Sequence, residues 1–166
     1  RNWDQRQFGE SIGYLPQEYR LVNGTLRENL LLGLPDPGDD RIMEVAQQTG
    51  LSKLITSSER GLELLINEGG RGLSGGQRVL TGLTRLLLAK PKLLLLDEPT
   101  ANLDGAAREQ VLALIPELLR SGTGVVMACH DRDLIGLPGV QRLKLRDGRL
   151  EPRSGDRDGP SVALVT

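Results

Sequence analysis

Apolar and polar positions follow two rhythms along this chain. Ser11–Leu15 reads as a short strand that Pro16 stops, because proline brings no N–H to a ladder. Thr25–Leu32 reads as a short helix. Thr25 and Glu28, three residues apart, fit a capping box in which each side chain satisfies a free backbone donor of the first turn. Pro35-Asp36-Pro37-Gly38 is a loop. Over Asp39–Thr49, Ile42, Val45 and Ala46 share one helical face, and Gly50 ends the helix. Leu51–Thr56 is a third short helix, and Glu59–Leu73 is glycine-rich and irregular. A long helix is expected from about Gly75 to Lys90, opened by a second capping box, Ser74 with Gln77, and closed by Pro91.

Past Lys90 the rhythm changes. Leu93–Asp97 is apolar without alternation, as expected of a parallel strand covered on both faces. Asp104 caps a helix running to Arg120, with a bend expected at Pro116. Gly124–Cys129 is a second apolar strand. Gln141–Arg146 and Arg149–Glu151 flank Asp147-Gly148, a two-residue hairpin signal. From Pro152 on the chain is largely polar, and a loose tail is expected over 152–166. Strands alternating with helices predict an α/β fold with a parallel sheet. Residues 24–90, with hardly any strand signal, form a helical subdomain, and 91–151 carry the sheet.

The 166 residues suit one domain, within the roughly 100–200 residues of a typical one. A formal charge of −1, from 21 basic and 22 acidic residues, gives none of the clustered basic excess of a nucleic-acid surface. One cysteine, Cys129, excludes an internal disulfide. No apolar run reaches the roughly 18 residues of a membrane helix, and no signal peptide is recognisable. The first residue is Arg1, not Met, so a longer parent chain is expected.

Two segments carry candidate chemistry. Leu93-Leu94-Leu95-Leu96-Asp97-Glu98-Pro99-Thr100 is an apolar strand ending in two carboxylates, which places acids at the carboxyl edge of the sheet, where open α/β folds bind ligands. Neighbours on a strand face opposite ways, so Asp97 and Glu98 take different tasks: one holds a metal ion, the other orients a water. Both could instead cap the following turn. Leu73-Ser74-Gly75-Gly76-Gln77 opens a helix with two glycines that let a phosphate approach free N–H groups at the positive end of the helix dipole. Ser74 adds a hydroxyl and Gln77 an amide. An ordinary capped helix after a flexible loop is the plainer reading of that segment taken alone.

Taken together and in order, these segments resemble the ABC ATPase family. Leu73–Gln77 is similar to its signature motif and Leu93–Thr100 to its Walker B strand with catalytic Glu98. Ala101-Asn102-Leu103-Asp104 is similar to its D-loop and the lone His130 to its switch histidine. Ile12-Gly13-Tyr14-Leu15-Pro16-Gln17 is similar to its Q-loop. The resemblance covers roughly Ser11 to Glu151. It implies the fold of a P-loop NTPase, with ATP and Mg²⁺ as cofactors. Glu98 would orient or deprotonate the attacking water, and His130 would donate a hydrogen bond to the γ-phosphate. Asp97 and Gln17 would complete a Mg²⁺ shell largely through water. Ser74, Gly75, Gly76, Gln77 and Asp104 would meet nucleotide in a head-to-tail pair with a second nucleotide-binding domain.

No G-x-x-x-x-G-K-[ST] occurs anywhere in the sequence. The family resemblance places that phosphate-cradling loop upstream of the Q-loop. This chain by itself is therefore expected to be inactive, with an exposed apolar strand edge and low stability.

Asn67-Glu68-Gly69-Gly70-Arg71-Gly72 is similar to the loop with which exporters touch their membrane domains. Asn23-Gly24-Thr25-Leu26-Arg27-Glu28-Asn29 also resembles the exporter pattern. A transmembrane domain would be met through the Gln17 region and the Glu68 loop, at the cytoplasmic face of the cell membrane. Arg20–Thr25 and Leu83–Leu88 resemble type I secretion transporters, which export proteins, peptides or toxins. Thr81-Gly82-Leu83-Thr84 departs from the family's usual alanine-rich run. The alternatives are a soluble ABC-type ATPase acting on nucleic acid or ribosomes, against which the balanced charge counts, and a non-hydrolysing pairing module, against which Glu98 and His130 count.

Overall fold

The computed structural model describes residues 11–101, 103–138, 140–146, 149–152 and 162–165. In chain order the elements are β1 (Ile12–Leu15), β2 (Gly24–Thr25), α1 (Leu26–Leu31), α2 (Asp39–Thr49), α3 (Ser52–Ser57), β3 (Leu65–Ile66) and α4 (Gly75–Leu88). Then follow β4 (Leu93–Asp97), α5 (Gly105–Arg120), β5 (Gly124–Ala128), α6 (Arg132–Ile135), β6 (Val140–Arg146), β7 (Arg149–Pro152) and β8 (Val162–Val165). The chain divides into two compact units. One takes Arg1–Gln17, Pro91–Ala101 and Val111–Thr166, and the other Glu18–Lys90 with Asn102–Gln110. The sequence gives no sign that the start of α5 belongs with the helical residues.

The first unit is built on a six-stranded sheet in the order β1-β4-β5-β8-β6-β7. β1, β4, β5, β8 and β6 are parallel to their neighbours, and β7 is antiparallel to β6. In register, Leu15, Leu96 and Met127 form one row and Leu94 and Val125 the next, all fully buried. With Val111, Leu114, Ile115 and Leu118 of α5 they make up the core of this unit. Leu93, Leu95 and Val126, on the other face, are only partly covered, and Tyr14 beside Leu95 is 54% exposed. The unbroken apolar run at Leu93–Leu96 therefore does not mean equal cover on both faces, as the sequence suggested.

The tail holds more structure than its polar composition led us to expect. Val162–Val165 lies in the middle of the sheet, parallel to both β5 and β6. A four-residue apolar run after a polar stretch is too short for its periodicity to declare a strand, yet both its backbone edges find partners here. Among the described residues the sheet ends on β1 and β7. The β6–β7 register pairs Arg146 with Arg149. The intervening Asp147-Gly148, and Asn102 of the D-loop-like segment, lie outside the described residues.

The second unit is mainly helical. α1 opens with both halves of its capping box: Glu28 N–H donates to Thr25 Oγ1 at 3.1 Å, and Thr25 N–H donates to Glu28 Oε2 at 2.7 Å. Buried Asn29 ties the preceding loop down, accepting from Val22 N–H and donating to the carbonyls of Val22 and Thr25. α2 buries Ile42, Val45, Ala46 and Thr49, and ends at left-handed Gly50. α4 buries Leu80, Leu83 and Leu87, packs on α1 and α2, and gives way to Lys90 in a left-handed turn (φ 52°) just before Pro91. Residues 59–73 are less irregular than expected. β3 pairs with β2, Gly24 opposite Ile66 and Thr25 opposite Leu65, and two-residue strands leave no alternation to read. Arg27, from α1, binds Asp39 at 2.7 Å, Glu63 at 2.9 Å and Asp36 at 3.5 Å. The hydrogen bonds it donates to Glu63 and Asp39 push its pKa up.

Candidate active site

Three parallel strands end side by side in the first unit. β4 ends on Asp97 opposite Ala128 of β5, and Leu15 of β1 pairs with Leu96. Asp97, Glu98, His130 and Gln17 therefore all stand at the carboxyl edge of the sheet. Beyond the last β4–β5 pair, Glu98 N–H donates to Ala128 O at 2.8 Å, extending the junction by one bond.

Glu98 is not the next residue of an extended strand. Its φ is +46°, and its carbonyl accepts from Ala101 N–H at 3.0 Å in a tight turn. The expectation that Asp97 and Glu98 separate by strand alternation is thus corrected: a left-handed turn separates them. Such a conformation costs a residue with a Cβ on the order of 1–3 kcal/mol and persists only where its surroundings enforce it. Here the ladder bond to Ala128 holds the turn. The Glu98 side chain, 23% exposed, brings Oε1 to 3.5 Å from His130 Nε2.

His130 is fixed from both sides. Cys129 before it is fully buried, and Asp131 after it caps α6, its Oδ1 accepting from Asp133 N–H at 2.9 Å. The imidazole itself is 85% exposed. Burial pushes the Cys129 thiol up, with nearby Glu98 and Asp131 adding to the rise against a backbone hydrogen bond from Asp131. Cys129 is thus a neutral, buried neighbour of the site.

Among the described residues no cluster of three or more His, Cys, Asp or Glu could cage a metal ion. Mg²⁺ takes one or two carboxylates and keeps several waters. Half-exposed Asp97 and exposed Gln17 offer oxygen donors of that kind at one edge.

The second unit carries Ser74, Gly75, Gly76, Gln77 and Asp104. The capping box is complete: Gln77 N–H donates to Ser74 Oγ at 3.1 Å, and Ser74 N–H donates to Gln77 Oε1 at 2.9 Å. The Gln77 oxygen is thereby occupied, which leaves its NH₂ and the Ser74 hydroxyl hydrogen to donate outward, together with first-turn N–H groups. Gly76 has a second reason to be glycine. A Cβ there would lie 2.6 Å from the Ala107 Cβ, so the start of α4 approaches α5 more closely than any other residue allows. Asp104 caps α5, its Oδ1 accepting from Ala107 N–H at 2.8 Å.

Other residues the sequence reading missed brace these segments. Arg85 Nη1 donates to Tyr19 OH at 3.3 Å, just past Gln17. The turn at Glu68–Gly70 is bound to the chain after Gln17, Gly69 N–H donating to Leu21 O at 3.0 Å. A groove of about 470 Å³ opens between Val22, Asn23, Arg27, Glu28, Leu31 and Leu32, with Val22 42% and Leu32 44% exposed. Tyr19 in a polar stretch and Arg85 in an apolar run 66 residues away give no sequence signal of such pairing.

Comparison with known proteins gives the family and the fold. The chain is 39% identical over 83% of its length to the glutathione/L-cysteine transport system ATP-binding/permease protein CydC of Escherichia coli, of which it covers 23%. It is 34% identical over 90% of its length to the type I secretion system ATP-binding protein PrsD of Rhizobium meliloti, of which it covers 25%. The chain thus spans a quarter or less of these relatives. Its fold matches the structure of a bacterial Atm1-family ABC exporter with ATP bound, at a TM-score of 0.79 and 24% identity over 89% of this chain and 26% of that one. Residues 1–101 match the ABC transporter family, and the chain belongs to that family.

Proposed function

We propose that this chain is part of the ATP-binding and ATP-hydrolysing domain of an exporter that moves a protein, peptide or toxin across a membrane. The observation that carries the reading is the pairing of Glu98 with His130 at the carboxyl edge of β4 and β5. A carboxylate held within reach of an imidazole there can accept a proton from an attacking water while His130 donates to the phosphate being transferred. Asp97 and Gln17 supply the oxygen ligands for Mg²⁺, which neutralises phosphate charge when bound. Ser74, Gln77 and the first-turn N–H groups of α4 supply donors for an anion, and Asp104 orders the neighbouring helix start. By the family resemblance they serve a nucleotide held by a second domain.

Relatives named as ATP-binding/permease and type I secretion proteins support the exporter reading. No helix among the described residues is long and apolar enough to cross a membrane, so the membrane domain that places this chain at the cytoplasmic face would be another segment or subunit. The Glu68 turn, hydrogen-bonded through Gly69 to Leu21, and the Gln17 region would meet it. The test is Glu98→Gln in the full-length protein. ATP binding should persist while turnover falls by about 10²-fold or more, the usual worth of a positioned base. Unchanged steady-state hydrolysis would remove Glu98 from the role.

A further inference from the structure

The run Thr81-Gly82-Leu83-Thr84, which departs from the family's alanine-rich pattern, has a partner on another helix. Thr84 of α4 and Thr49 of α2 are both fully buried, and their hydroxyl oxygens lie 2.7 Å apart. Each hydroxyl carries one hydrogen. Thr84 Oγ1 lies 2.7 Å from Leu80 O, whereas Thr49 Oγ1 lies 3.3 Å from Ala46 O. Either hydroxyl can donate across the pair; with Thr84 donating to Leu80 O at the shorter distance, Thr49 donates to Thr84. Leu51 N–H, at 3.4 Å, faces the remaining lone pair of Thr49. One turn nearer the start of α4, buried Thr81 donates to Gln77 O at 2.7 Å. Gln77 is the residue whose side chain closes the cap on Ser74. Buried hydroxyls thus act at two places on α4: Thr84 reaches Thr49 at the end of α2, and Thr81 binds the backbone of Gln77 beside the cap.

Leucine contacts between α4 and α2 tolerate small slides and rotations, whereas a buried hydrogen bond does not. The start of α4 has little tolerance either, because Gly76 sits against Ala107 with no space for a Cβ. We infer that Thr84 and Thr49 are positioning residues that set the axial register of α4, and through it the aim of the Ser74–Gln77 donors at nucleotide. The inference rests on the ATPase reading and goes beyond the residues that reading places at the site.

The test uses four forms of the full-length protein. Thr84→Val keeps the shape, removes the hydroxyl and leaves Thr49 only its longer contact to Ala46 O at 3.3 Å. It should lower the Tm and, if one hydrogen bond from the misaimed Ser74–Gln77 donors to nucleotide is lost, raise KM for ATP about five-fold. Its kcat should stay within about two-fold, as when binding is lost equally from ground and transition states. Thr84→Ser should keep the wild-type KM. Thr49→Val with Thr84→Val removes the poorly bonded hydroxyl as well, so the Tm should recover in part while KM stays raised. A wild-type KM in Thr84→Val, or a KM that recovers with the Tm in the double variant, overturns the inference. A wild-type protein without ATP turnover instead sinks the ATPase reading, an outcome distinct from both.

Discussion

Glu98 Oε1 and His130 Nε2 lie 3.5 Å apart across the ends of two neighbouring strands, with the Glu98 N–H bonded to Ala128 O beneath them. The separation is long for a hydrogen bond, and both groups remain free to turn to a substrate. Replacing His130 by Ala in the full-length protein should cut ATP turnover by on the order of 10²-fold, as for loss of one donor to a transition-state oxygen. Nucleotide affinity should change little. Affinity falling in step with turnover would make His130 a binding residue instead.

Gly76 faces Ala107 where a Cβ would come within 2.6 Å of another. Gly76→Ala should therefore destabilise by about 1–3 kcal/mol, the cost of overpacking a close contact. Urea unfolding measures it. Ala107→Gly in the same chain should restore most of the loss. If it restores nothing, the clash lies elsewhere.

Asn29 makes three hydrogen bonds to the loop at Val22–Thr25. Asn29→Ala leaves part-buried backbone groups without their side-chain partner and should cost about 1 kcal/mol in unfolding free energy. Hydrogen exchange at the Val22 amide should rise with it. A cost confined to a few tenths of a kcal/mol would show that water replaces the side chain.

Cys129 is buried, and its pKa is raised. The folded state therefore favours the neutral thiol. The stability this contributes is complete below the thiol's ordinary pKa and is lost as pH rises through the higher folded value. Alkylation at pH 8 should be much slower in the native protein than in denaturant. The decline of stability at alkaline pH should flatten in Cys129→Ala. Rapid native alkylation would mean that the strand end opens.

The helices of the second unit were legible because their signals are local. Both capping boxes, the apolar face of Ile42, Val45 and Ala46, and the glycine stop at Gly50 each lie within a few residues. The edge placement of Asp97, Glu98 and His130 was also legible, because apolar strands announce where they end. The left-handed turn at Glu98 was not, since nothing in Asp-Glu-Pro-Thr separates it from extended chain. Nor were Tyr19 with Arg85, or Thr49 with Thr84, pairs 66 and 35 residues apart whose members each look ordinary alone. The strand at Val162–Val165 escaped notice because its partners, and not its own length, make it a strand.

The backbone at Glu98 sets two demands on one residue. A φ of +46° suits glycine, and every residue with a Cβ pays a conformational cost there. Drift toward glycine at this position would relax the turn and strengthen the fold while erasing the carboxylate that faces His130. Selection for a stable chain and selection for a working one therefore oppose each other here, and a Glu98→Gly protein that melts higher yet turns over nothing would be the signature of that conflict.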